Sequence, residues 1–179
     1  MQVFSAALMG LLFMTGAATA DASTTPPLPS YTVAMTAYNA VASQTDGTPD
    51  ITASGAFSDP NIMAARSEDL ADELPFGTVI AIEAATSSPD CGYNKVGQLI
   101  GLRVIEDAMN PKMKNKVDIM FPQKITTASG KIENPAITLG ICKDVTIQVI
   151  GHVDPSNIPQ TQGELATLLD QSSGLAVAK

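Results

Sequence analysis

The stretch VIEDAMNPKMKNKVDIMFP, residues 104–122, decides how this chain reads. It sets Asp107 and Asp118 eleven residues apart, each beside a short β-branched or apolar run. Between them, Asn110-Pro111 and the lysines and asparagine that follow are turn chemistry, so the segment predicts two strands joined by a loop. Upstream, Leu74-Pro75-Phe76-Gly77-Thr78 forms a turn that opens the apolar run Val79-Ile80-Ala81-Ile82. Strands connected in this way bring two carboxylates to one mouth of a β-barrel. A carboxyl group on a rigid strand, facing a groove, is suited to general acid/base chemistry.

Working outward, residues 31–38 alternate, with Val33, Met35 and Ala37 on one face, and predict a half-buried strand. Residues 45–55 are polar and rich in turn formers. A short helix is expected over 67–73, with Ser67 as its cap and acidic residues in its first turn. Strands are expected at 79–83, 100–105, 117–121 and 145–149, the last with Val145, Ile147 and Val149 inward, and a second short helix at 163–171. Many short strands with one or two small helices predict an all-β fold, a compact β-barrel. No internal repeat and no phosphate-cradling glycine loop is present.

The first twenty residues stand apart from this pattern. They form an apolar run ending Ala18-Thr19-Ala20 before Asp21, which reads as a secretory signal peptide. The apolar run is too short to span a bilayer, so no membrane insertion is expected after cleavage. Residues 21–30, DASTTPPLPS, read as a linker that cannot pack a core. In an exported chain the two cysteines, Cys91 and Cys142, are expected to pair, two free buried thiols being the alternative.

The net charge of −8, with ten Lys and Arg scattered along the chain, excludes a phosphate-binding surface and so a nucleic-acid partner. Aromatic residues make up 4% and Trp is absent, so a glycan would have to be held in a narrow groove rather than on a stacking platform. His152 is the only histidine, and with two pairing cysteines no metal constellation and no cofactor is expected. The serines and threonines of Thr52-Ala53-Ser54-Gly55 lack a base, which removes nucleophilic serine chemistry. For each aspartate a structural role, accepting backbone amides at a strand end, competes with an acid/base role.

Taken jointly, several segments resemble the three-aspartate (3D) domain family, whose barrel is like that of RlpA-like proteins and expansins. They are MTAYNAVASQTDGTPDITASG at 35–55, LPFGT at 74–78, the 104–122 stretch and LGICKDVTIQVIG at 139–151, in the family's order across 31–151. The resemblance implies a six-stranded double-psi β-barrel and a peptidoglycan or related polysaccharide partner. It also implies lytic transglycosylase activity, with Asp118 and Asp107 as the catalytic pair. On this reading Asp118 is the acid/base and Asp107 orients substrate or tunes it, although the two roles can be exchanged. Thr36, Tyr38, Thr52 and Ser54 fall where relatives line the groove.

Two departures from the family pattern are visible. Asp107 is followed by Ala108-Met109-Asn110 where many relatives have Thr-Gly-Gly. The position of the family's first aspartate is Leu70, flanked by Asp69 and Asp72, of which Asp72 is the candidate substitute. The expectation is therefore a secreted, monomeric, cell-wall glycan-cleaving enzyme. A non-catalytic, expansin-like glycan-binding barrel is the alternative, and a purely structural or inhibitor-binding secreted domain is a third reading.

Overall fold

The computed structural model describes residues 27–45, 47–83 and 91–177, the last six of these by backbone alone. The expected signal peptide and most of the 21–30 linker lie outside these residues. Six strands close a barrel: β1 (Ser30–Tyr38), β2 (Met63–Arg66), β3 (Thr78–Ile82), β4 (Arg103–Ala108), β5 (Lys116–Met120) and β8 (Cys142–His152). A small hairpin of β6 (Ile125–Thr126) and β7 (Ile132–Glu133) stands outside it. Short helices α1 (Tyr93–Val96) and α2 (Pro135–Leu139) precede a longer α3 (Gln162–Val177).

Around the barrel the order is β1, β5, β2, β4, β3, β8. The pairs β1–β5 and β2–β4 run parallel, and every other neighbouring pair runs antiparallel. Exchanging β1, β2 and β3 for β4, β5 and β8 leaves this order unchanged, so the barrel has a pseudo-twofold axis. The two halves alternate strand by strand, so every strand lies between two strands of the other half. This interlocking is a double-psi β-barrel.

The alternation read from the sequence sets the two faces of these strands, and both are covered. Val33, Met35, Ile80, Ile105, Val117, Ile119, Val145 and Ile147 pack into one apolar cluster. Met63, Val79, Val104 and Met120 pack on the other face with Ile62, Val153 and Leu165 of α3. Fully burying each such side chain is worth about 1.5–3 kcal/mol. The Gln162 side chain fixes the start of α3 to the barrel, accepting from the Leu102 amide at 2.9 Å and donating to the Asn61 and Leu102 carbonyls at 2.7 and 2.8 Å.

Some elements depart from the expectations. Residues 67–73 form only a single 3₁₀ turn, Glu68–Leu70, and the Ser67 side chain does not cap it. Its hydroxyl instead accepts the Lys116 amide at 3.0 Å, tying the turn to β5. The strand expected from Ile100 begins at Arg103, because Ile100 closes a 3₁₀ turn and Gly101 takes a left-handed φ of 57°. The strand expected at 145–149 extends over Cys142–His152, with Val149 only half buried.

Cys91 and Cys142 form a disulfide that ties the segment before α1 to the start of β8. Such a bridge accords with an oxidising compartment outside the cytoplasm. Closing a loop across a separation of 51 residues restricts the unfolded chain; the chain-entropy model makes that worth about 4 kcal/mol. Replacing both cysteines by serine is expected to lower the unfolding free energy by about that amount. Urea unfolding of the oxidised wild type beside the double variant checks it, and adding reductant to the wild type should reproduce the shift.

Candidate active site

The two aspartates share one wall, though not as immediate neighbours. β2 lies between β4 and β5, and Ala65 of β2 stands in register with Asp107 on one side and Asp118 on the other. Thr36 of β1 is in register with Asp118 in turn. Four adjacent strands thus carry one row, Thr36, Asp118, Ala65, Asp107. Adjacent strands lie about 4.8 Å apart, so the two aspartate backbones are separated by roughly twice that. Only the methyl group of Ala65 stands between them in the row.

Asp118, Ala65, Asp107 and Tyr38 line a cavity of about 550 Å³. Its remaining walls come from the 44–58 loop and from Met109, Asn110, Pro111 and Met113 of the loop joining β4 to β5. The segment that opened the sequence reading therefore supplies both carboxylates and part of the rim.

The surroundings of the two carboxyl groups differ. Asp107 is saturated. Its Oδ1 accepts the Ala53 amide at 3.0 Å and its own neighbour's amide, Ala108, at 2.9 Å, while its Oδ2 accepts the Tyr38 hydroxyl at 2.8 Å. Asp118 accepts the Thr36 hydroxyl at 2.8 Å through Oδ1, and among the described residues nothing donates to its Oδ2. Its flanking residues Val117 and Ile119 are fully buried in the core.

The electrostatics follow from this asymmetry. Burial pushes the Asp118 carboxyl up to about 6, and the Asp107 charge adds to the rise. The Thr36 hydrogen bond and the Lys116 charge oppose it but do not cancel it. Burial, followed by the bonded Asp107 carboxylate, drives the Tyr38 phenol well above its ordinary range. Tyr38 is therefore a permanent donor, holding Asp107 in one rotamer.

The other expected site residues fall into two groups. Thr36 and Tyr38 reach the site through their bonds to Asp118 and Asp107. Thr52 and Ser54 instead bond each other at 3.0 Å, and it is Ala53 between them that lines the cavity and donates to Asp107. Asp72 is exposed in the turn after the 3₁₀ segment and is not among the residues lining the cavity. Sequence reasoning missed Ala65, because an alanine in a short Ala-rich segment carries no chemical signal. Among the described residues, no group of His, Cys, Asp and Glu is placed to hold a metal ion. No protein-family model matches the chain, and no curated protein matches it.

Proposed function

We propose that this protein cleaves the glycan strand of peptidoglycan as a secreted lytic transglycosylase of the three-aspartate type, with Asp118 as its acid/base. The observation that carries the reading is Asp118 itself. It is a half-buried carboxyl with one oxygen that receives no hydrogen bond from the described residues, raised to about 6, in a cavity it shares with a second carboxylate. A general acid needs a pKa near the working pH, and burial beside a like charge supplies it.

The chemistry then runs in two proton transfers. Asp118 begins protonated and gives its proton to the glycosidic oxygen as the bond from the muramic anomeric carbon breaks. The resulting carboxylate removes the proton of the muramic 6-hydroxyl, whose oxygen closes on the anomeric carbon to form the anhydro ring. No water is consumed. Asp107, fixed by Tyr38, Ala53 and Ala108, faces the same cavity and orients the sugar beside the developing oxocarbenium ion.

A second reading rests on the saturation of Asp107. Two backbone amides and a phenol occupy both its oxygens, which suits a scaffold residue in a non-catalytic, expansin-like glycan-binding barrel. Mass spectrometry of purified wall sacculi after incubation with the protein separates the two. Anhydro-muropeptides are the expected product, and reducing-end fragments would identify a hydrolase. Retained binding to sacculi with no release would establish the binding module instead.

A further inference from the structure

Among the described residues, Glu106 is the one fully buried acid, and the proposed chemistry leaves it unused. It is fully buried on β4, and neither carboxyl oxygen has a hydrogen-bond partner. Native proteins rarely leave a buried polar group in this state, and a bare carboxylate there would be very costly. The Ser54 hydroxyl and the Gly77 amide are close enough to favour its charged form, yet neither completes a hydrogen bond. Burial outweighs them and moves the carboxyl above the ordinary glutamate range.

The position of Glu106 in the sheet explains why this matters for the site. Ile105 pairs with Ala64 and Asp107 with Ala65, so Glu106 is the extra residue of a β-bulge. Strict alternation would put Asp107 on the face of Ile105, inside the apolar cluster. The extra residue re-aims it onto the row of Ala65 and Asp118, a use of bulges common beside active sites. The Glu106 carbonyl also accepts the Ser54 amide at 3.0 Å, which docks the 52–56 turn onto the bulge. That turn is closed by main-chain bonds, from the Thr52 amide to the Ala56 carbonyl and from the Gly55 amide to the Thr52 carbonyl, with the Thr52–Ser54 hydroxyl pair across it, and it presents the Ala53 amide to Asp107.

The groups facing Glu106 come from three elements. The 52–56 turn and the turn before β3 bring only Ser54 and Gly77, neither of them titratable at working pH. The Cβ of any larger residue at position 77 would lie 2.3 Å from the Val153 carbonyl and 2.7 Å from the His152 ring, so only glycine permits this approach. From the end of β8, His152 lies close enough for a proton on its ring to favour the charged form of Glu106.

We infer that Glu106 is a positioning residue for Asp107, carried as the neutral acid in the bulge, and that its ionisation releases the 52–56 turn from Asp107. When the proton leaves to water, the new carboxylate competes for the Ser54 hydroxyl. The buried carboxylate has no donor of its own, so the turn docked on the bulge through the Ser54 amide must shift to supply one, carrying the Ala53 amide away from Asp107. The neutral form belongs to the folded state, so this contribution to stability is complete at low pH. It is lost as pH rises from the ordinary glutamate value through the raised one.

The inference rests on the placement of Asp107 and not on glycan cleavage, so it is tested without substrate. Carbon-13 and nitrogen-15 NMR of the folded protein, titrated from pH 3 to 9, follows the Glu106 carboxyl and the Ala53 and Ser54 amides together. The expected result is a Glu106 midpoint above the ordinary glutamate range and a step at the same pH in both amides. The Glu106→Gln variant, isosteric and neutral, should lose that step, whereas Asp118→Asn should keep it. A Glu106 midpoint in the ordinary range overturns the inference, as does an Ala53 step that survives in Glu106→Gln. If the glutamine variant does not fold, the coincidence or separation of the wild-type midpoints decides the matter alone.

Discussion

Replacing Asp118 by asparagine is expected to reduce anhydro-muropeptide release by about 10²–10⁴-fold, the range that a positioned general acid/base contributes. Asparagine keeps the shape and can still accept the Thr36 hydroxyl that bonds Asp118 now. It can neither give nor take the proton at the free oxygen. Binding of the variant to sacculi should stay close to that of the wild type, because the cavity walls are unchanged. The pH profile provides a second check. Asp118 must start protonated, so the rate should fall as pH rises through about 6 and only a minority of molecules should be competent at neutrality. The same proton is bound more tightly by the folded than by the unfolded chain. Stability should therefore decline as pH rises from 3.8 to about 6, and the part of this decline that Asp118 contributes should vanish in the asparagine variant, leaving that of Glu106. A profile whose descending limb is the same in a partially active Asp118 variant would show that another group titrates.

The largest loss of stability is expected at Arg103. This side chain is fully buried, and it is satisfied by main-chain carbonyls rather than by a carboxylate. Its Nε donates to Ile100 at 2.6 Å and Nη2 to Leu99 at 2.8 Å. Nη1 reaches Pro60, Met120 and Met63 at 2.8, 3.1 and 3.4 Å. The guanidinium also lies over the Phe121 ring, 5.5 Å from its centroid. Burial lowers it to about 10, which still leaves it charged at neutral pH. One side chain thus joins the loop before β2, the turn before β4 and the end of β5. Arg103→Met removes the donors and leaves the carbonyls buried, at a cost of about 3–5 kcal/mol, the penalty for breaking a buried charged network. For a chain of this size that corresponds to a fall in Tm of about 10 °C or more. Arg103→Lys should recover little, because one ammonium cannot reach carbonyls set in a planar fork. Calorimetry of the two variants beside the wild type decides the point, and a Tm within a degree or two of wild type for either would contradict it.

The parts of this fold that were legible in the sequence are those where alternation survives. β1, β3, β5 and β8 carry large apolar residues at every second position, and their locations follow from period alone. β2 does not, since Met-Ala-Ala-Arg is short and buried throughout, so period two leaves no contrast to read. Arg103 was hidden for a related reason: charged side chains are expected outside, and its partners are carbonyls that no sequence pattern marks. The aspartate pair was legible from residue type and spacing. Its geometry was not, because β4 and β5 are consecutive in the sequence yet separated by β2 in the barrel. The bulge at Glu106 was equally silent, since it is defined by pairing with a strand that was itself unseen.

The seam between β1 and β8 joins the first and last strands of the barrel. No subset of consecutive strands can close without the other half, since every strand finds both its neighbours in the counterpart half. The chain must therefore remain open until His152 has been made, with its first strand waiting for a partner more than a hundred residues away. Such long-range pairing puts refolding in the slow regime of milliseconds to seconds typical of barrels rich in non-local contacts. It also leaves no stable half-molecule for a protease to spare. If the chain is exported as proposed, that delay is an advantage: the polypeptide stays threadable until the last strand arrives.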